Sequence, residues 1–347
     1  MTTTRPSQPL AALLPPLLPA FLLLLLLPLL AGLAGCLQVD EPGDLVPRTA
    51  DEDPTVPQIE VAGARLHAES FGNPGAPAVV VLHGGPGQDY RSLLPLRALA
   101  DDGYRVVFWD QRGTGLSQRF DGGVYTLPLY LEDLRLVVEQ TVAPGQRFVF
   151  IGHSWGAMYA TLFMNEYGDY GGRLRGAILS EPGAFTKAQL DGFLERLQGS
   201  FNLAGEQFND ALWATQFMSP ADHIRADYMR GVMVLGGVPS EHQDPSNRSP
   251  FWRCGAVVNA ALLALAQKGF DWTTHLKAFG HPVLFLRGDL NDAATLAHQQ
   301  ELAGSYADAQ IVTITGAGHE MVWQRPAEYL GHTRDYFKAI GFVGGAQ

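Results

Sequence analysis

From residue 58 onward, short apolar runs alternate with longer stretches whose apolar positions recur at helical spacing. Residues 77–82, 104–109, 147–151, 177–179, 282–286 and 311–314 form the runs, and residues 59–70 alternate as an early strand or hairpin. Residues 129–142 and 157–167 read as helices. Strands that are apolar on both faces and alternate with helices predict an α/β fold, a mostly parallel central sheet flanked by helices. In such a sheet the site lies beyond the carboxyl ends of the strands. Here each unusual polar or glycine-rich cluster follows the end of an apolar run, so clusters far apart in sequence are expected together in space. The rhythm breaks after residue 185. Amphipathic stretches rich in aromatics, among them Phe193, Phe201, Phe208, Trp213, Phe217 and Tyr228, predict a helical cap insertion over residues 186–276. The core is then residues 58–185 and 277–347.

The N-terminus follows another pattern. Arg5 precedes an apolar stretch that no charge interrupts until Asp40, which reads as an export signal. It ends in Leu33-Ala34-Gly35-Cys36, which resembles the lipobox of bacterial lipoproteins. That resemblance implies a signal peptide over residues 1–35, with Cys36 lipidated as the mature N-terminus. The protein would then be exported and lipid-anchored in the bacterial cell envelope. The alternatives are an ordinary signal peptide or an uncleaved membrane anchor, since the stretch is long enough to span a bilayer. Pro15, Pro16, Pro19 and Pro28 make a regular helix there uncomfortable. Residues 36–57 turn acidic and proline-rich, as expected of a flexible tether.

Composition narrows the classes further. The chain has 347 residues, of which 46% are hydrophobic and 17% charged, enough for a sizeable core. A formal net charge of −11 disfavours nucleic acid and anionic membrane surfaces as partners. The only other cysteine, Cys254, has no partner if Cys36 carries lipid, and it reads as a buried, inert thiol. No His/Cys/Asp cluster has ligand spacing, so neither a metal nor a cofactor is expected.

Three clusters carry chemistry. Gly152-His153-Ser154-Trp155-Gly156 matches a Gly-x-Ser-x-Gly nucleophile elbow between a strand and a helix. Its tight turn would thrust the Ser154 hydroxyl into the site and aim the Trp155 backbone N–H at a developing oxyanion. His83-Gly84-Gly85-Pro86-Gly87 lets backbone approach a reacting carbonyl, with Gly85 N–H as the second oxyanion donor. Gly316-Ala317-Gly318-His319 follows the last strand and supplies an imidazole able to act as base.

With Asp110-Gln111-Arg112-Gly113-Thr114-Gly115-Leu116-Ser117, these motifs resemble the prolyl aminopeptidase (proline iminopeptidase) group of α/β hydrolases. The resemblance implies the α/β-hydrolase fold and a Ser-Asp-His triad under a helical cap. It also implies removal of an N-terminal residue, usually proline, from peptides. Asp110 and Arg112 would then brace loops. The group places its acid in a Gly-x-x-Asp pattern, which here reads Gly288-Asp289-Leu290-Asn291. Three readings stay open. A one-residue slip presents Asp292, which this reading prefers; Glu181 supplies the acid from the preceding strand end, as in certain haloalkane dehalogenases; or the protein is weak or inactive. A carboxylic-ester hydrolase on the same residues is the alternative activity. A non-catalytic ligand-binding lipoprotein is the alternative of another class, resting on Asn291 alone. An epoxide hydrolase or dehalogenase would want Asp at the elbow. The partner expected is a small molecule or short peptide, its ammonium held by cap acids drawn from Asp191, Glu195, Glu206, Asp222, Asp227 and Glu241.

Overall fold

The computed structural model describes residues 45–200, 222–236 and 249–345. The signal segment, Cys36 and two of the six cap acids, Glu206 and Glu241, lie outside these residues. Residues from Leu45 onward belong to one compact unit. Its centre is an eight-stranded sheet in the order β1-β2-β4-β3-β5-β6-β7-β8. The strands are β1 (Gln58–Val61), β2 (Ala64–Phe71), β3 (Ala78–Leu82), β4 (Arg105–Trp109), β5 (Phe148–His153), β6 (Leu174–Ser180), β7 (Val283–Gly288) and β8 (Ala309–Ile314). All neighbours from β4 to β8 pair in parallel; β1–β2 and β2–β4 are antiparallel.

The alternating segment at residues 59–70 is thus a hairpin. Its two-residue loop, Ala62 (φ 46°) and Gly63 (φ 73°), has positive φ at both positions, as a type I′ turn requires. Every residue of β3, and residues Val106 to Trp109 of β4, are buried, in keeping with unbroken Val-rich runs covered on both sides. One face of the sheet packs on helices α1 (Leu127–Thr141) and α2 (Trp155–Tyr167). The other packs on a 3₁₀ segment (Arg91–Ala100) and the C-terminal helix (Pro326–Ala339). α1 starts where a start is cheapest: Thr126 accepts the Leu129 N–H and Pro128 fills the first turn.

Between β6 and β7 the chain leaves the sheet for α3 (Lys187–Ser200), α4 (His223–Gly236) and α5 (Ala256–Gln267). The segment leading into α5 is tied to the loop after β3. Gly255 N–H donates to Gly87 O (2.6 Å), and Asn259 Nδ2 donates to Pro86 O (2.5 Å). Asp89 accepts the backbone N–H groups of Trp252 and Arg253. On α4, buried Asp227 accepts from Arg119 Nε (2.8 Å), Arg253 Nε (2.7 Å) and the Ala256 N–H.

Part of the segment expected to be a loose tether is instead docked. Thr49 and Ala50 are buried, and Ala50 N–H donates to Leu116 O. Arg253 donates to Pro47 O at 2.9 Å and meets the Glu52 carboxylate at 3.4 Å. The acidic and polar residues that suggested a spacer close a turn, Glu52 accepting Thr49 N–H, and meet Nη1 of the buried Arg253. Cys254 is buried as expected; burial first, then the Asp89 charge, push its thiol up to about 12.

The centre of the sheet tolerates no added atom where β5 meets α2. A Cβ on Gly156 would overlap the Leu82 carbonyl oxygen, which belongs to β3 and is fixed by the sheet. Gly156→Ala should therefore lower the unfolding free energy by about 2 kcal/mol or more, read as a lower urea midpoint at unchanged m-value.

Candidate functional site

The sheet order delivers five loops side by side at the carboxyl ends of β3, β5, β6, β7 and β8. Strand order reverses at β3, whose neighbours β4 and β5 leave in opposite directions, so this is the crevice where such sheets place their sites.

Ser154 sits between β5 and α2 with φ 55° and ψ −120°. A non-glycine residue held at positive φ is strained by about 1–3 kcal/mol and persists only where its surroundings over-determine it. Here Ser154 N–H donates to Ser180 O, and its carbonyl accepts from Ala157 and Met158. Trp155 is the first residue of α2, in the turn whose N–H groups have no partner within the helix. The loop after β3 lies directly over this turn. A Cβ on Gly84 would stand 3.2 Å from Ser154 Cβ and 3.0 Å from His153 Nδ1, a tight fit that any larger residue would meet only by pushing its neighbours aside. Gly85 follows with φ 127°.

Gln111 locks these two loops together. Its Oε1 accepts from the Trp155 indole (2.9 Å), its Nε2 donates to His83 O (2.9 Å), and its backbone N–H donates to His83 Nε2 (3.0 Å). Asp110 accepts the N–H groups of Tyr90 and Leu116, with His67 Nδ1 at 2.8 Å. Arg112 forks onto Asp133 at 2.8 and 2.7 Å and donates to Val61 O and Ala62 O. Both residues brace loops.

His319 lies beside the elbow. Its ring centroid is 4.5 Å from that of His153, whose Nε2 donates to His319 O at 2.8 Å. His319 Nδ1 is 2.6 Å from Glu181 Oε2. The carboxylate against the imidazole is therefore Glu181, and the preference for Asp292 is corrected. The reason is local. Glu181 directly follows β6, a strand adjacent to both β5 and β7, and takes φ 46°. Its Oε1 accepts the Gly288 N–H (2.8 Å) and its Oε2 accepts Asn291 Nδ2 (2.5 Å). The turn after β7 thus presents Asn291 to Glu181 and His319 where an acid was expected. Glu181 has no exposed surface, whereas the His319 side chain is 34% exposed. A buried carboxylate needs such partners; three donors supply them.

Burial alone pulls the His319 imidazole down. The hydrogen bond and charge of Glu181, with Glu320 adding, outweigh it, and the ring titrates above the ordinary histidine value. His153 is lowered, by burial and then by the His319 charge, and stays a neutral donor at neutral pH. An imidazole oriented by a carboxylate, packed on the His153 that precedes Ser154 in the strained turn, is the kind of group that takes a hydroxyl proton.

Of the cap acids, Asp191 pairs with Lys187, Asp222 with Arg225, and Asp227 with Arg119 and Arg253. The structural roles of three residues were not read from the sequence: His153 and Gln111 stood in their motifs without an assigned part, and Asn291 registered only as a missing acid.

Residues 79–331 match the Alpha/beta hydrolase family. A proline iminopeptidase of Heyndrickxia coagulans is 38% identical over 295 residues, covering 81% of this chain and 98% of its own. Epoxide hydrolase A of Mycobacterium tuberculosis is also 38% identical, over 328 residues, covering 83% and 98%. Among solved structures, a proline iminopeptidase-related protein from Thermus thermophilus superposes with a TM-score of 0.58 at 23% identity, covering 82% of this chain and 96% of its own. A membrane phospholipase A superposes at 0.60 with 20% identity, covering 93% and 99%. At these identities the two structures speak for the fold, an α/β-hydrolase fold with an eight-stranded, mostly parallel sheet.

The geometry makes a spectroscopic prediction. In wild type, the His319 ring, assigned by its loss in His319→Gln, should titrate above about 6.5. Glu181→Gln removes the charge that raises it, so the midpoint should move to lower pH by about one unit or more. NMR titration of the ring reads both values, and an unmoved midpoint would show that Glu181 does not govern this histidine.

Proposed function

The chain belongs to the alpha/beta hydrolase family, and from that premise we propose that it is a serine hydrolase working through an acyl-enzyme. Ser154 Oγ attacks the substrate carbonyl while His319 takes its proton. Glu181 fixes the imidazole tautomer and balances the imidazolium that forms. The N–H groups of Gly85 and Trp155 hold the oxyanion. His319 then protonates the leaving group, and water activated by the same imidazole releases the acyl group. The observation that carries this reading is the 2.6 Å contact between His319 Nδ1 and Glu181 Oε2, with the His319 ring packed 4.5 Å from that of His153, the residue before Ser154 at φ 55°. With that acid in reach, Asn291 no longer speaks for a binding protein without chemistry. Ser154 at the elbow argues against epoxide opening, which would want Asp there.

Removal of N-terminal residues from short peptides, in the manner of a prolyl aminopeptidase, is supported by the Heyndrickxia coagulans relative. A carboxylic-ester hydrolase is favoured by a separate observation. Asp191, Asp222 and Asp227 are held by Lys or Arg side chains, which leaves fewer carboxylates to receive a substrate ammonium. We also propose that the protein is exported and lipid-anchored through Cys36.

A fluorophosphonate probe should label wild type and not Ser154→Ala; absence of labelling in folded wild type would remove the serine-hydrolase reading. Glu181→Gln should lower kcat/KM by about 10³–10⁴-fold, and Asp292→Asn should change it far less; the opposite ranking would return the acid role to Asp292. Turnover of a proline arylamide supports the aminopeptidase, whereas turnover of short p-nitrophenyl esters alone supports the esterase. An alkyne-tagged palmitate fed to expressing cells should be incorporated by wild type and not by Cys36→Ala; equal incorporation would dismiss that anchor.

A further inference from the structure

Asn291 stands in the turn after β7, and its side chain does two separable things. Its Oδ1 accepts the backbone N–H groups of Ala293 (3.1 Å) and Ala294 (3.2 Å), which closes the turn. Because that oxygen is committed to donors, the amide nitrogen must face the other way. Nδ2 lies 2.5 Å from Glu181 Oε2 and 3.3 Å from His319 Nδ1. The Nδ1 position can give its proton to Glu181 at 2.6 Å, so the Asn291 donor belongs to the carboxylate as well. One oxygen, Oε2, therefore receives both an amide proton and the imidazole proton, while Oε1 is held by Gly288 N–H.

We propose that Asn291 is a positioning residue for Glu181, and that the pair forms an exchangeable acid site in which the carboxylate can stand on either strand end. This rests on the reading of Glu181 as the acid partner of His319. The donor from Asn291 and the donor from Gly288 together fix the plane of the carboxylate, so that one lone pair of Oε2 points at the imidazole. An aspartate at 291 preserves the turn, because its Oδ1 still accepts from residues 293 and 294. Its other oxygen then occupies the place of the amide nitrogen, next to both Glu181 and His319. A glutamine at 181 preserves the contact with Gly288 and provides a donor toward that oxygen. The exchange thus reverses one hydrogen bond and moves one charge by a few ångströms, with the Gly288 and turn contacts kept and the His319 Nδ1 proton passing from residue 181 to the carboxylate at residue 291.

A residue that merely closed the turn would tolerate aspartate, and this separates the two roles. The charged or titratable groups facing the His319 ring are Glu181, Glu320 and His153. Asn291→Asp adds a further acid among them. It should lower the melting temperature, because Glu181 loses a donor and gains a like charge, and move the NMR midpoint of His319 upward by about one unit or more. Since the base must be neutral, the acid limb of kcat/KM moves up with it. The double exchange Glu181→Gln/Asn291→Asp should bring the midpoint back toward wild type. Its kcat/KM should exceed that of Glu181→Gln alone by about tenfold or more. An Asn291→Asp midpoint equal to wild type, or a double exchange that titrates like Glu181→Gln, overturns the proposal. Both are read on the protein without substrate. A lack of hydrolysis in wild type would therefore count against the proposed reaction, while the ring titration still decides the role of Asn291.

Discussion

A carboxylate with no solvent exposure is stable only where donors converge on it, and the Glu181 side chain draws its three donors from the ends of two strands, β7 and β8. Gly288 closes β7, Asn291 lies in the turn beyond it, and His319 follows β8. Withdrawing any of them leaves a buried acceptor short of a partner, at a cost of about 1–3 kcal/mol or more for a charged group. The same contacts hold Glu181 at φ 46°, a conformation that its backbone alone would not choose. Stability and geometry are therefore linked here: the loops are fixed relative to one another because the carboxylate needs all of them at once.

The other half of the site is organised without a charge at its centre. Gln111, an uncharged side chain, joins the loop after β3 to the first residue of α2 through both ends of its amide. Asp110 and Arg112 on either side of it are tied off by buried partners of their own. The glycine loop and the serine turn are thus kept in contact by neutral hydrogen bonds. These leave the electrostatics near Ser154 to His319 and its acid.

Most of the fold was legible in the sequence because its strands are buried on both faces. A run such as Val79-Val80-Val81-Leu82 has few other physical explanations, and it ends in a glycine cluster that has fewer. The strand-end positions of Ser154 and His319 were legible for the same reason, since each sits in a short motif immediately beyond such a run. The carboxylate that meets His319 was not. Its position depends on which of two turns reaches the imidazole. That is settled by sheet order and by how far the turn after β7 carries residue 291, neither of which is written in local composition. Residues 45–57 misled in another way. Proline and acidic residues lower the apolar surface a segment can bury, yet a single buried arginine was enough to recruit this one.

That arginine has a practical bearing on how the protein can be handled. Arg253 reaches Pro47 O and Glu52 on one side and Asp227 on the other. A chain shortened to begin after Pro47 would lose one outer counterpart of this interior cation, and one that begins after Glu52 would lose both. A shortened version that begins a few residues ahead of position 47 keeps that clasp shut.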